Sequence, residues 1–112
     1  MQANKENNDK FITMIGFAKR AGAIVYGYDN LRTAKGVRLV AVSDAASENL
    51  KSDMERLADK RNIPIVYANA LEDKMGGNIK ALGITNSDMS REIINYISKG
   101  ATPYEIRLGK RR

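Results

Sequence analysis

The chain has 112 residues, 43% apolar and 29% charged, the size and make-up of one globular domain. It contains no cysteine, histidine or tryptophan, which excludes disulfides, thiolate zinc sites and the usual proton shuttle near neutral pH. No apolar run reaches the roughly 18 residues a membrane helix needs, and the net charge of +6 points to an acidic partner.

Residues 1–8 are polar and read as a flexible lead-in, since a signal peptide needs an apolar stretch there. Residues 9–100 read as a single domain in which helical and extended patterns alternate, as in an α/β sandwich. Asn8 or Asp9 can cap a first helix with Phe11, Met14, Ile15 and Ala18 on one face, and Gly22 closes it. Residues 23–26 form a short extended run ended by Gly27. Asp29 is placed to cap a brief helix over residues 31–35, which Gly36 stops. Residues 38–42 are almost continuously apolar, the pattern of a strand covered on both faces.

Ser47 caps a long helix whose buried stripe is Leu50, Met54, Leu57 and Ala58. Its charges cancel, so its outer face reads as solvated. Asn62 ends it, and residues 63–67 give another strand with Pro64 near its start. Residues 69–72 have capping-box spacing for a short helix ending at Gly76 and Gly77. Residues 79–85 form a last core strand, with Gly83 marking a close backbone approach. Asn86 or Ser87 caps a final helix that turns Met89, Ile93, Tyr96 and Ile97 inward, and Gly100 closes it. Residues 101–112 are a basic tail whose alternation fits either an edge strand or a disordered arm that orders on phosphates.

The positive charge is unevenly placed. Residues 19–38 and residues 99–112 each carry a net +4 against +6 for the whole chain, so everything else sums to −2. Two basic patches on a near-neutral body suit a polyanion, most naturally nucleic acid, although a solvated face with a loose cationic tail has the same composition.

No glycine spacing matches a phosphate loop or a dinucleotide fingerprint. Carboxylate pairs occur only in the long helix and at Glu72 and Asp73, where a solvated surface accounts for them. An enzyme, a metal site and a cofactor are therefore not expected. The loop from Tyr26 to Asn30 is more informative. It sets a glycine, an aromatic ring and two hydrogen-bonding side chains at a helix start, with basic residues on both sides. Backbone amides there can meet phosphate, Asp29 and Asn30 can meet base edges, and Tyr28 can stack on a base. The plainer reading makes Asp29 the helix cap and Tyr28 a cover for the core edge.

Ile15-Gly16-Phe17-Ala18-Lys19-Arg20-Ala21-Gly22, Gly27-Tyr28-Asp29-Asn30, Leu39-Val40-Ala41-Val42-Ser43-Asp44-Ala45 and Asn62-Ile63-Pro64-Ile65-Val66 occur in that order. This succession resembles the ribosomal protein L-seven-Ae family, and within it the small bacterial YlxQ-like branch, which residues 81–86 also suit. The resemblance implies a three-layer α/β/α sandwich with a four-stranded mixed sheet. It also implies binding of kinked RNA, commonly the kink-turn with its tandem sheared G·A pairs.

By that resemblance the recognition loop falls on Gly27, Tyr28, Asp29 and Asn30, and a second RNA-facing loop on residues 76–79, where Ile79 would cover an extruded base beside Asn78. Asn30 stands where the family has a Glu that reads a guanine edge, and Thr33 where it has a Lys that meets phosphate. These departures bear on kink-turn specificity and leave the fold untouched.

The expected function is a cytoplasmic, non-enzymatic RNA-binding domain, ribosome-associated and not membrane-bound. Lys19, Arg20, Arg32 and Lys35 would hold phosphates, Tyr28, Asp29 and Asn30 would sit at bases, and Asn78 and Ile79 would close the site. The alternative is a protein-interaction module on the same fold that has lost specific RNA recognition.

Overall fold

The computed structural model describes residues 11, 13–68, 71, 78–98 and 106–108, with 98 and 106–108 given by their backbone. Helix α1 covers residues 13–20, with Phe11 also helical. It closes as expected: Gly22 takes φ 69°, its N–H reaches Lys19 O, and Ala23 N–H reaches Ala18 O at 2.9 Å. That pair of bonds satisfies carbonyls the last turn leaves open. The chain continues through β1 (Ile24–Tyr26), α2 (Tyr28–Thr33), β2 (Leu39–Ser43), α3 (Glu48–Arg61), β3 (Ile65–Ala68), β4 (Ala81–Ile84), α4 (Ser87–Ser98) and β5 (Ile106–Leu108).

The strands form one mixed sheet in the order β1-β4-β2-β3-β5. β2 and β3 run parallel, joined by the α3 crossover, while β4 is antiparallel to both β1 and β2. Successive residues of each strand point to opposite faces, and the core divides accordingly. Leu39 and Ala41 of β2, Val66 and Ala68 of β3, and Leu82 and Ile84 of β4 pack under α1 and α4, through Phe11, Ile15, Ile93 and Ile97. Val40, Val42, Ile65 and Ala81 face the other way, against Leu31 of α2 and Met54, Leu57 and Ala58 of α3. The protein is thus a three-layer α/β/α sandwich. Every residue of β2 is buried, which is why its sequence is apolar without alternation.

The caps follow local chemistry. Ser47 Oγ accepts from Leu50 N–H at 3.1 Å and opens α3, and Asn62 ends it in the left-handed conformation at φ 59°. Asn86 Oδ1 accepts from Met89 N–H at 2.8 Å, so Asn86 rather than Ser87 caps α4. The expected caps of α1 at Asn8 or Asp9, most of the short helix after β3, and Gly76, Gly77 and Gly100 lie outside the described residues, although Leu71 is helical and buried.

Three expectations require correction. The sheet has five strands, because residues 106–108 of the supposed tail pair antiparallel with β3, Ile106 opposite Ala68 and Leu108 opposite Val66. Edge pairing is therefore the outcome for that short segment. The last core strand is Ala81–Ile84, shorter than residues 79–85. Its partners run out there: Tyr26 lies opposite Leu82, and Gly27 N–H takes Ala81 O at 2.9 Å before the chain turns away. Finally, α2 begins at Tyr28 and stops at Thr33, rather than spanning 31–35, with Gly27 at its N-cap and no side-chain cap bond. Asp29 is therefore an exposed first-turn residue and not the cap.

Candidate functional site

Gly27 makes the corner on which the candidate site is built. At φ 85° and ψ 151° its backbone lies in a region essentially restricted to glycine, and this lets β1 turn at once into α2. Asn30 locks the corner from the other side: its Nδ2 donates to Tyr26 O at 2.9 Å. A glutamate cannot make that bond, because an ionised carboxylate only accepts. Asn30 thus holds the loop it belongs to. The far end of α2 is fixed by a residue from another element, Arg61 of α3, whose guanidinium donates to Arg32 O at 2.7 Å and to Ala34 O at 3.0 Å. These bonds satisfy carbonyls that a helix end leaves open, so α2 ends where Arg61 meets it.

Arg61→Ala is therefore expected to destabilise the protein by about 1–2 kcal/mol, the range for bonds to a charged donor reduced for partial exposure. Hydrogen exchange is expected to quicken in α2 and not in α4; equal quickening in both helices would show that Arg61 has no local role there.

Three adjoining openings surround α2. The first, about 270 Å³, lies between the two loops and is lined by Tyr26, Gly27, Tyr28, Leu50, Asn78, Ile79, Lys80 and Ala81. It brings the Gly27-Tyr28 corner and the Asn78-Ile79 loop together. The second, about 660 Å³, is the groove between α2 and α3, where Tyr28, Arg32 and Thr33 face Arg56, Leu57, Lys60 and Arg61. The third, about 460 Å³, places Lys35 beside Arg32, Thr33 and Arg61. The Arg32 guanidinium lies over the Tyr28 ring, 5.9 Å from its centroid, so cation and aromatic form one surface. Asp29 and Asn30 are exposed at the head of α2.

Lys19 and Arg20 are placed elsewhere. They close α1 on the opposite face of the sheet, and they precede β1 whereas Gly27 follows it. The charge run that is continuous in sequence is thus divided by the sheet, and the expectation of one cationic patch is corrected. Arg20 instead covers the Phe17 ring at 4.9 Å, and Phe17 itself is 53% exposed.

Other cations stand at the site unannounced by the sequence. Arg56, Lys60, Arg61 and Lys80 line its walls, although α3 as a whole is charge-balanced. The spacing carried the signal. Positions 56 and 60, and 57 and 61, are four apart and share one side of a helix, whereas a charge total ignores direction. Glu55 turns away to accept from the Tyr67 hydroxyl, and Asp53 pairs with Arg56 at 3.6 Å on the exposed surface. Across the sheet, burial pushes the Tyr96 hydroxyl above its ordinary titration range. Among the described residues no group of three or more acidic side chains is placed to hold a metal ion, and no helix is long and apolar enough to cross a membrane.

No protein-family model matches the chain, and no curated protein matches it. Among solved structures it is similar to a protein of unknown function from Bacillus halodurans, at 23% identity and a TM-score of 0.71. The match covers 80% of this chain and 97% of that one. At that identity the likeness shows a shared α/β fold and nothing of the site.

Proposed function

We propose that the chain is a non-enzymatic RNA-binding protein that holds structured, kinked RNA, cytoplasmic and associated with the ribosome, in the manner of the L-seven-Ae family. One observation supports this reading above others: the Gly27-Tyr28 corner and the Asn78-Ile79 loop, far apart in sequence, line one open cleft beside cations. RNA of irregular shape offers an unstacked base at such a place, and an aromatic face with an apolar side chain opposite is what that base requires. Tyr28 and Ile79 provide the faces, and Asn78 provides a polar edge. Asp29 and Asn30 are positioned for base edges at the head of α2. Arg32 and Lys35 serve phosphates along it. Lys19 and Arg20, beyond β1, can meet only a second arm of the same RNA.

A gel-shift comparison of a kink-turn hairpin with an unkinked duplex of the same length tests the proposal. The hairpin is expected to bind more tightly, and Tyr28→Ala to weaken it by about 1–3 kcal/mol, the usual loss for one stacked base. Equal weak binding to both RNAs would leave only nonspecific attraction.

The second reading, a protein-interaction module on this fold, draws support from Asn30, whose amide is committed to Tyr26 O. Purification with and without nuclease separates the two: a chain that never carries RNA through purification supports the module.

A further inference from the structure

The groove between α2 and α3 shares Tyr28 with the loop cleft on one side, and shares Arg32 and Arg61 with the Lys35 opening on the other. The three openings therefore adjoin as one run around α2. Its floor in the groove is apolar, from the half-buried Tyr28 ring and the buried Leu57. Its walls carry Lys80, Arg32, Arg56, Lys60, Arg61 and Lys35, and among the described residues no carboxylate lines any of the three openings. Arg61 is held by α2 carbonyls, whereas Arg32 and Lys60 are exposed and Arg56 makes two long surface contacts, with Asp53 at 3.6 Å and with Ser52 Oγ at 3.5 Å. Such contacts are weak, so Arg56 is easily recruited by a stronger anion.

We infer that a single-stranded RNA segment leaving the bound kink runs along this groove, with a base added over the Arg32–Tyr28 stack beside Leu57 and phosphates on Arg56 and Lys60. This rests on the RNA-binding reading above and extends it beyond the two loops. Two observations select a single strand. The Arg32–Tyr28 stack presents a surface on which a free base can add, and bases in a duplex have no free face. The cations are divided among adjoining openings, Lys80 in one, Arg56 and Lys60 in the next and Lys35 in the third, as consecutive phosphates require.

The test compares a kink-turn hairpin with the same hairpin carrying a single-stranded extension on one strand. The wild-type chain is expected to bind the extended RNA roughly tenfold more tightly at 0.15 M salt, as two extra phosphate contacts imply. Arg56→Ala with Lys60→Ala is expected to remove that gain and to lower the log–log salt slope by roughly 1.4, about 0.7 for each strand contact. Both side chains are exposed, so the thermal midpoint serves as a control that remains unchanged, and the blunt hairpin is expected to lose less affinity than the extended RNA. Arg91→Ala, on α4 across the sheet, is expected to leave the slope as it is.

An extension that adds no affinity, or a double variant that keeps the gain, overturns the groove assignment even if the kink is still recognised. A gain from the extension without preference for the kink upholds the groove and sinks the kinked-RNA reading. Failure to bind either RNA overturns both.

Discussion

Leu31→Ala is expected to cost about 2–5 kcal/mol of folding stability, the range for truncating a fully buried leucine. Leu31 is the buried residue of α2, with none of its surface exposed. A helix of six residues cannot hold itself, since isolated helices shorter than about 12–15 residues are marginal in water. Everything else on α2, including Tyr28, Asp29, Asn30 and Arg32, is therefore positioned by this one anchor together with the Gly27 corner and the Arg61 bonds. Urea unfolding is expected to show a lower midpoint with an unchanged slope, and under the proposed RNA-binding function RNA affinity is expected to fall although Leu31 is fully buried. A loss below about 1 kcal/mol would mean that the corner and Arg61 suffice without it.

Gly83→Val tests the seat that receives that anchor. At an ordinary site within a strand valine is favoured over glycine, because a β-branched side chain packs well there and glycine costs backbone entropy. Here the sign is expected to reverse. A Cβ at position 83 would overlap Leu31 Cδ2 and lie 2.9 Å from Val37 Cγ1. Both neighbours are buried, so neither has space to withdraw. The expected loss is about 1–3 kcal/mol or more, as for other overfilled cores, and α2 is expected to lift from the sheet. Because both substitutions act on one contact, Leu31→Ala combined with Gly83→Val is expected to cost less than the sum of the two, by about 0.5–3 kcal/mol. Strict additivity in denaturant titrations would show that α2 does not rest on Gly83.

The sandwich and most of its boundaries were legible in the chain because they depend on local rules. The buried run in β2, the stripe of α3 and the Ser47, Asn62 and Gly22 termini each follow from residues within a few positions. Gly83 was legible as a close approach, though not the identity of what approaches. The bounds of α2 were not legible. Asp29 has the chemistry of a cap, yet Gly27 opens the helix, and the residue that closes it, Arg61, lies 29 positions from Arg32. The fate of residues 106–108 likewise depended on an open edge of β3, which no local pattern reveals.

The candidate site divides along the same line. From its residues alone the chain determined an α/β domain without cysteine, histidine or a membrane-length apolar run, and a glycine corner between basic residues. Only the tertiary structure decided which cations share a surface with that corner. It sent Lys19 and Arg20 to the opposite face, brought Arg56, Lys60 and Arg61 beside Tyr28, and set Asn78 and Ile79 against Gly27. The physical reason is that charge and apolarity are read along a chain without direction, while a sheet with helices on both faces assigns every side chain to one of two sides.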